Sequence, residues 1–165
     1  MNKTLFLLCP TDCLETAVND AYENENYFYT SLGNSFAADN STLKSIKELI
    51  LKHDIKNIYF VLSNDNKIIL DALERQSFSE IIGLENFYSE IIKQKEDSEI
   101  MWLTTNNKDL IISYFLNHKI KELQLELGNL SLNSIKVRGK IYDINNTYFK
   151  NIYSSLICLK SHCLN

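Results

Sequence analysis

The sequence has few of the features that mark multidomain, membrane and nucleic-acid-binding proteins. Its 165 residues include one proline and four glycines and no Gly/Ser-rich stretch, so nothing in it is typical of an interdomain linker. No apolar run approaches the roughly 20 residues that span a bilayer. The run from Leu5 to Leu8 is shorter than the apolar core of a secretory signal, and Pro10 follows it closely. The formal net charge is −4 and there is no dense Lys/Arg cluster, which is atypical of a nucleic-acid-binding surface.

These absences favour a single domain that covers residues 1–165, with residues 146–165 as a C-terminal tail or a terminal helix. Hydrophobic residues make up 45% of the chain and charged residues 23%, an ordinary soluble composition that argues against disorder. The chain is also long enough to bury a hydrophobic core. We expect a cytoplasmic protein without nucleic-acid or membrane partners.

The four cysteines do not form a recognisable metal or disulfide framework. Cys9 and Cys13 are separated by three residues, and Cys158 and Cys163 lie close to the end of the sequence. Neither spacing is the Cys-x-x-Cys knuckle of a structural zinc site. Reduced thiols are therefore expected in the cytoplasm.

Apolar runs of strand length alternate with segments of helical periodicity. Residues 4–9, 26–32 and 57–62 are predicted strands because they are short apolar or aromatic runs bounded by polar residues or turns. Residues 12–22 and 40–53 place apolar side chains at helical spacing between those strands. This alternation is typical of an α/β domain with a mostly parallel sheet, in which we expect the first strand to be central or nearly so.

The second half of the chain continues with more helix. We predict helices over residues 66–73, 78–95 and 109–125, with the polar residues 94–99 as an exposed exit from the second of them. Residues 134–144 alternate between apolar and polar or small side chains and are predicted to form a last strand.

Four segments in a fixed order resemble those of a known family. Cys9 ends the first strand, and Gly33-Asn34 closes the second. The third strand stops at Ser63-Asn64-Asp65-Asn66-Lys67, and Val137-Arg138-Gly139-Lys140-Ile141-Tyr142-Asp143 lies near the end. In this order the segments resemble the β-class carbonic anhydrases. The resemblance implies a β-carbonic-anhydrase-like α/β domain with a site at the carboxyl ends of its strands.

In the family that these segments resemble, the catalytic residues occupy short motifs after the first three strands. Cys-x-Asp-x-Arg follows the first strand, Arg-Asn-Ala-Gly-Asn the second and Gly-His-x-x-Cys the third. The resemblance implies that zinc is held by the cysteine of the first motif and by the histidine and cysteine of the third. It also implies that an Asp–Arg pair in the first motif orients the metal-bound water.

This chain departs from those motifs at most of the catalytic positions. Cys9 stands at the first ligand, but Thr11 and Cys13 stand where the motif has its aspartate and arginine. Asn64 stands at the histidine ligand and Lys67 at the second cysteine ligand. One thiolate with an amide and an ammonium does not supply the roughly three protein ligands that catalytic zinc needs.

The substitutions predict a vestigial pocket that holds no metal or other cofactor. Its residues are Cys9, Thr11, Cys13, Gly33, Asn34, Asn64 and Lys67. The alternative is a substitute zinc site built on Cys9 with Cys13, Asp12 or Asp65, and a slip of one residue in the first motif would make Asp12 the acidic group. Lys67 with Asn64 and Asn66 has two interpretations, a small anion pocket or a solvated capping cluster at a helix start.

We therefore predict a non-catalytic carbonic-anhydrase-like protein, a pseudoenzyme that serves as a binding or regulatory module. The alternative is an enzyme with a rebuilt site on the same pocket, either an atypical zinc carbonic anhydrase or an enzyme with Cys9 or Cys13 as nucleophile. A homodimer is a candidate assembly, with an unidentified protein or small ligand as a further partner. Trp102, in the apolar residues 100–103, indicates a subunit contact, an additional buried strand or ordinary core packing.

Overall fold

The computed structural model describes residues 3–35, 40–101 and 108–153. Within these residues the chain forms one five-stranded sheet. Its strands are β1 (Lys3–Leu8), β2 (Glu25–Thr30), β3 (Asn57–Ser63), β4 (Lys136–Asp143) and β5 (Tyr148–Asn151). The strand order is β2-β1-β3-β4-β5, with β1 to β4 parallel and β5 antiparallel to β4.

The prediction of a mostly parallel sheet with the first strand at or near its centre is confirmed, since β1 is the second of the five strands and lies beside the middle strand, β3. Leu5 of β1 pairs with Tyr27 of β2 on one side and with Ile58 of β3 on the other. From Thr4 to Leu8 every residue of β1 is buried, as expected for a strand with neighbours at both edges and cover on both faces. The carboxyl ends of β1 and β3 consequently meet at one edge of the sheet.

Five helices lie between the strands of the described chain. They are α1 (Glu15–Ala21), α2 (Asn40–His53), α3 (Lys67–Glu74), α4 (Glu85–Met101) and α5 (Lys108–Asn129). Short 3-10 turns, Pro10–Asp12 and Leu32–Asn34, follow β1 and β2. Among the described residues no helix combines the length and the apolar character needed to cross a membrane.

The helix predicted over residues 12–22 begins later, at Glu15. The chain first makes the 3-10 turn Pro10–Asp12, and Cys13 then takes a left-handed conformation with φ 50°. Proline at the start of the turn fixes its own φ, and the left-handed residue ends the turn before α1 can begin. The turn matters for function because it decides where the side chains after β1 point.

The helix predicted over residues 78–95 is wrong at both ends, since α4 begins at Glu85 and continues to Met101. The polar residues 94–99 therefore lie inside α4 instead of forming its exit. Turns precede the helix, where the Asp71 carboxylate accepts hydrogen bonds from the backbone N–H groups of Ser77 and Phe78 at 3.1 and 3.0 Å. A side chain that captures backbone donors in this way favours a turn over a helix.

The prediction of a tail or helix from residue 146 onward is wrong for the described part, because β5 lies there. Four residues are too few for an alternating pattern to be recognised in the sequence. After β5, Ile152 packs over Gly139 of β4, where a Cβ would come within 2.5 Å of the Ile152 Cδ1 atom. Residues 154–165 and Trp102 lie outside the described residues.

The sheet divides the hydrophobic core into two parts of unequal size. Alternate strand residues, such as Leu7, Phe60 and Ile141, face a large cluster formed with helices α2, α3, α4 and α5. On the opposite face, Leu14 and Val18 pack against a smaller group of strand residues, Phe6, Leu8 and Val61. Val18 belongs to α1 and Leu14 immediately precedes it, so within the described chain α1 is the helix that covers this second face.

Candidate functional site

Cys9 lies directly after β1, at the carboxyl edge of the sheet, and its sulfur joins two loops. Its side chain is 1% exposed. The sulfur lies 3.0 Å from the Thr11 hydroxyl oxygen and accepts a hydrogen bond from the Gly33 N–H at 3.1 Å. Cys9 therefore ties the turn after β1 to the turn after β2.

Gly33 and Asn34 form that second turn, and both have positive φ, 61° and 54°. A Cβ on Gly33 would lie 2.9 Å from the Phe87 ring, so the position requires glycine for space as well as for conformation. The Asn34 amide is fully buried and donates hydrogen bonds to the carbonyl oxygens of Leu7 and Val61 at 3.0 and 2.7 Å. Asn34 thus bridges the ends of β1 and β3, and its Oδ1 has no hydrogen-bond partner among the described residues.

Asp12 links the turn after β1 to the end of β3. One carboxylate oxygen accepts a hydrogen bond from the Ser63 N–H and the other from the Asn66 side-chain amide, both at 2.8 Å. Burial raises the pKa of the Asp12 carboxyl above its usual value; the bonds from Ser63 and Asn66 lower it, and the nearby charge of Asp65 adds to the rise.

Asn66 caps helix α3. Its Oδ1 accepts hydrogen bonds from the N–H groups of Ile68 and Ile69 at 3.1 and 3.0 Å. These are the donors that an anion at the start of the helix would use. The geometry therefore favours the capping cluster over the anion pocket considered for Lys67, Asn64 and Asn66.

The structure does not gather all seven predicted pocket residues around Cys9. Asn64 accepts a hydrogen bond from the Ile144 N–H at 3.2 Å, which places its amide oxygen against the turn between β4 and β5. Lys67 is exposed at the first residue of α3. Cys13 is exposed, and its thiol donates to the Pro10 carbonyl at 3.4 Å. Only Thr11 and Gly33 of the predicted residues hydrogen-bond to Cys9 among the described residues, and Asn34 lies in the same turn as Gly33.

Ser63 and Asn66 are two central residues that the predicted pocket did not include. Ser63 is buried and provides only its backbone N–H to Asp12, so its side-chain type gives no signal for this role. Asn66 has a recognisable signal, because an asparagine before an apolar helix is a preferred N-cap residue. The sequence contains no pattern that predicts the pairing of Asn66 with Asp12 across 54 positions.

Solved structures of β-carbonic anhydrases are similar to this chain over most of its length. The enzyme CafD of Aspergillus fumigatus matches with a TM-score of 0.73 and 15% identity, over 93% of this chain and 90% of that one. A tetrameric enzyme of Sordaria macrospora matches with a TM-score of 0.69 and 17% identity, over 92% and 80%. The chain has the β-carbonic anhydrase fold. The Coccomyxa enzyme in complex with acetazolamide also matches, with a TM-score of 0.69 and 13% identity, over 98% and 82%.

The resemblance inferred from the sequence motifs is thus confirmed at the level of the fold. No protein-family model matches the sequence. No functionally curated protein is significantly similar to it in sequence. At identities of 13–17% the β-carbonic anhydrase structures establish the architecture of this chain but not its chemistry.

The zinc that the β-carbonic anhydrase fold implies does not fit the residues present here. Among the described residues there is no group of three or more His, Cys, Asp or Glu side chains that could hold a metal ion. Near Cys9, both Asp12 oxygens are already hydrogen-bonded, to Ser63 and Asn66. A neutral amide at Asn64 and an ammonium at Lys67 do not replace an imidazole and a thiolate as zinc ligands.

Proposed function

We propose that this chain is a non-catalytic carbonic-anhydrase-like protein, a binding or regulatory module without catalytic zinc. The observation that carries the proposal is the Asp12 carboxylate, which connects the loop after β1 directly to Ser63 and Asn66 at the end of β3. A metal shared between these two loops would need free donor atoms from both. Here both oxygens of the Asp12 carboxylate are already bonded to the other loop, at Ser63 and Asn66.

The replacement of the Asp–Arg pair of the first motif by Thr11 and Cys13 supports the same proposal. Catalytic zinc lowers the pKa of its bound water to about 7, and without it no hydroxide nucleophile forms at neutral pH. The Thr11 hydroxyl is hydrogen-bonded to the Cys9 sulfur, and Cys13 has a thiol at the position where the family motif has an arginine. These groups do not reproduce an Asp–Arg pair that orients water.

The geometry speaks against an alternative in which one of the cysteines is a nucleophile. Cys9 is 1% exposed, which closes its sulfur to a substrate. Cys13 is exposed, but its thiol donates to the Pro10 carbonyl, and no hydrogen bond joins it to a histidine among the described residues. A cysteine nucleophile is normally activated by an adjacent base. We place the protein in the cytoplasm, where such an exposed thiol stays reduced.

Two measurements on freshly purified protein, without added zinc or chelator, test the proposal. Mass spectrometric metal analysis should give far less than one zinc per chain. Stopped-flow hydration of carbon dioxide should proceed at the rate of buffer alone. The matched variant is Cys9→Ser, which should leave both values unchanged. One zinc per chain that is lost in Cys9→Ser, or hydration above buffer that a chelator abolishes, would show the proposal to be wrong.

A further inference from the structure

The loop between α3 and α4 is held in place at both ends. At its start, the Asp71 carboxylate accepts hydrogen bonds from the Phe78 N–H at 3.0 Å and from the Tyr88 hydroxyl of α4. Two turns follow, closed by hydrogen bonds from the Ile81 N–H to the Phe78 carbonyl at 3.1 Å and from the Leu84 N–H to the Ile81 carbonyl at 3.0 Å. Leu84 is 2% exposed, so the loop ends in the core.

This loop presents large apolar side chains to solvent. Phe78 is 43% exposed, Ile81 40% and Ile82 94%. Ile82 is the second residue of the turn from Ile81 to Leu84, and Gly83, with φ 94°, is the third. The central positions of such turns usually hold Pro, Gly, Asn, Asp or Ser. An isoleucine that is almost fully exposed there contributes nothing to the core. We call Phe78, Ile81 and Ile82 the apolar tip.

Grouping distinguishes the apolar tip from other exposed apolar residues. Leu51 on α2 and Leu125 on α5 are 62% and 67% exposed, and each is the single exposed large apolar side chain of its helix. Single exposed apolar residues are normal on protein surfaces, whereas a group of them rimmed by polar residues is typical of an interaction site. The apolar tip places three within five positions, on two successive turns.

Carboxylates flank the apolar tip. Glu80 lies within the loop, Glu85 follows it and Glu74 precedes it, and all three are exposed. The Glu85 carboxylate accepts a hydrogen bond from the Gly83 N–H at 3.0 Å, which holds it against the second turn. No ion pair joins any of the three to another described residue. Arg75 is the only Lys or Arg between residues 74 and 92, so the surroundings of the tip are acidic.

We propose that the apolar tip binds a partner protein that presents an apolar stripe bordered by Lys or Arg side chains, as a basic amphipathic helix does. The stripe would cover Phe78, Ile81 and Ile82, and the bordering cations would face Glu80 and Glu85. Because the loop is already held in place, binding loses little conformational entropy. The choice of a protein partner rests on the binding role proposed above, but failure of this surface would leave the absence of catalytic zinc unaffected.

Such a partner fits the loop better than a membrane or a second copy does. The cytoplasmic leaflet of a membrane is negatively charged, and a tip inserted there would carry Glu80 and Glu85 against the head groups. Segments that bind at such surfaces are typically rich in Lys and Arg. A second copy that docked through the same loop would bring identical carboxylates face to face. The complement of this surface is therefore a different, basic protein.

Fluorescence anisotropy with two labelled peptides tests the proposal. One is an amphipathic helix of leucine and lysine alone, and the other has glutamate in place of lysine. The wild type should bind the Leu/Lys peptide and not the Leu/Glu peptide. Ile82→Ser should weaken binding of the Leu/Lys peptide at least about tenfold, because an apolar anchor is lost. Glu74→Lys with Glu80→Lys should transfer binding to the Leu/Glu peptide, since the bordering charges are then complementary to it.

The matched controls change the same kinds of residue elsewhere on the surface. Leu125→Ser removes an exposed leucine of α5 and should bind the Leu/Lys peptide as the wild type does. Glu23→Lys with Glu48→Lys reverses two exposed carboxylates away from the loop and should not bind the Leu/Glu peptide. Circular dichroism checks that each variant folds. If a charge-reversed variant does not, the decrease of wild-type binding with added salt tests the same charges.

Several outcomes would overturn the proposal. They are a wild type that binds neither peptide, equal binding of the Leu/Lys peptide by the wild type and Ile82→Ser, and a charge reversal at Glu74 and Glu80 that changes nothing. Transfer of binding by the control pair would show that the attraction is general. Flotation of the wild type, but not of Ile82→Ser, with vesicles of phosphatidylcholine and phosphatidylserine would assign the tip to a membrane instead.

Discussion

The carboxylate of Asp12 accepts a hydrogen bond from the side-chain amide of Asn66 at 2.8 Å, across 54 positions of sequence. The Oδ1 atom of the same Asn66 amide caps α3, because it accepts hydrogen bonds from the N–H groups of Ile68 and Ile69. The orientation of the Asn66 amide is thereby fixed, since backbone donors require its oxygen and a carboxylate requires its nitrogen. One asparagine starts a helix and holds an aspartate of another loop in place.

Replacement of Asp12 by alanine should destabilise the fold. The Asp12→Ala variant leaves the Ser63 N–H and the Asn66 amide without their acceptor, and buried donors that lose a partner are costly. We expect the free energy of unfolding, measured in urea, to fall by about 1–3 kcal/mol. Asp65→Ala removes an exposed carboxylate from the same loop and should change stability by less than about 0.5 kcal/mol. Equal losses in the two variants would mean that the Asp12 bonds contribute nothing specific.

The stability contributed by Asp12 should depend on pH with a defined sign. Burial raises the pKa of this carboxyl in the folded state, so the folded protein binds the proton more tightly than the unfolded chain does. The contribution is fully present below the usual pKa of about 4 and is lost as the pH rises through the folded pKa. The free energy of unfolding of the wild type minus that of Asp12→Asn should therefore decrease between acidic and neutral pH.

Urea unfolding at a series of pH values measures this difference, and Glu48→Gln, which removes an exposed negative charge from α2, controls for the general effect of removing a negative charge. An increase of the difference with pH would contradict the prediction. It would show that the hydrogen bonds from Ser63 and Asn66 outweigh the burial of the Asp12 carboxylate.

The sheet was predictable because its central strands are continuous apolar runs. β1 and β3 are buried on both faces, so their sequences show the strand directly, and parallel strands then bring Cys9 and the residues after β3 to one edge. β5 was missed because its four residues are too short to show a period. Its position depends on the contact between Ile152 and Gly139, which is not visible in either segment alone.

The connections within the candidate site were less predictable than its location. Cys9, Thr11 and Gly33 come together because short turns follow β1 and β2 at the same edge. The direction of Asp12 depends on the 3-10 turn and on the left-handed Cys13, and neither has a sequence signal strong enough to place a carboxylate on Ser63. Spacing predicted the neighbourhood of these residues, and local backbone conformation decided their partners.

Glycine at position 33 should be required for two separable reasons. Gly33→Ala meets both a left-handed backbone, φ 61°, and a Phe87 ring carbon 2.9 Å from the new Cβ. Gly83→Ala is the matched control, because Gly83 has φ 94° but no atom within 4 Å of a Cβ. Urea unfolding should show a loss of about 2–4 kcal/mol for Gly33→Ala and about 1–2 kcal/mol for Gly83→Ala. Losses of equal size would rule out crowding against Phe87 as a cause.

The stability of the fold should depend on the chemistry of the side chain at position 34 more than on its size. Its amide nitrogen donates to the carbonyl oxygens of Leu7 and Val61, so Asn34→Asp would place a buried carboxylate against two acceptors. We expect a loss of about 3–5 kcal/mol at neutral pH, since a buried charge without a partner is among the costliest changes in a protein. Asn64→Asp is the control, because Asn64 acts as an acceptor from the Ile144 N–H and a carboxylate can take that role. That control should change stability by less than about 0.5 kcal/mol.

The same experiment has a pH-dependent arm. The carboxyl introduced by Asn34→Asp would be driven toward its neutral form by burial, so the stability deficit should shrink as the pH falls. Protonation would also restore a donor toward Leu7 or Val61. Denaturant unfolding at neutral and at mildly acidic pH measures both effects. A variant that unfolds like the wild type at neutral pH would show that Asn34 does not hold the ends of β1 and β3 together.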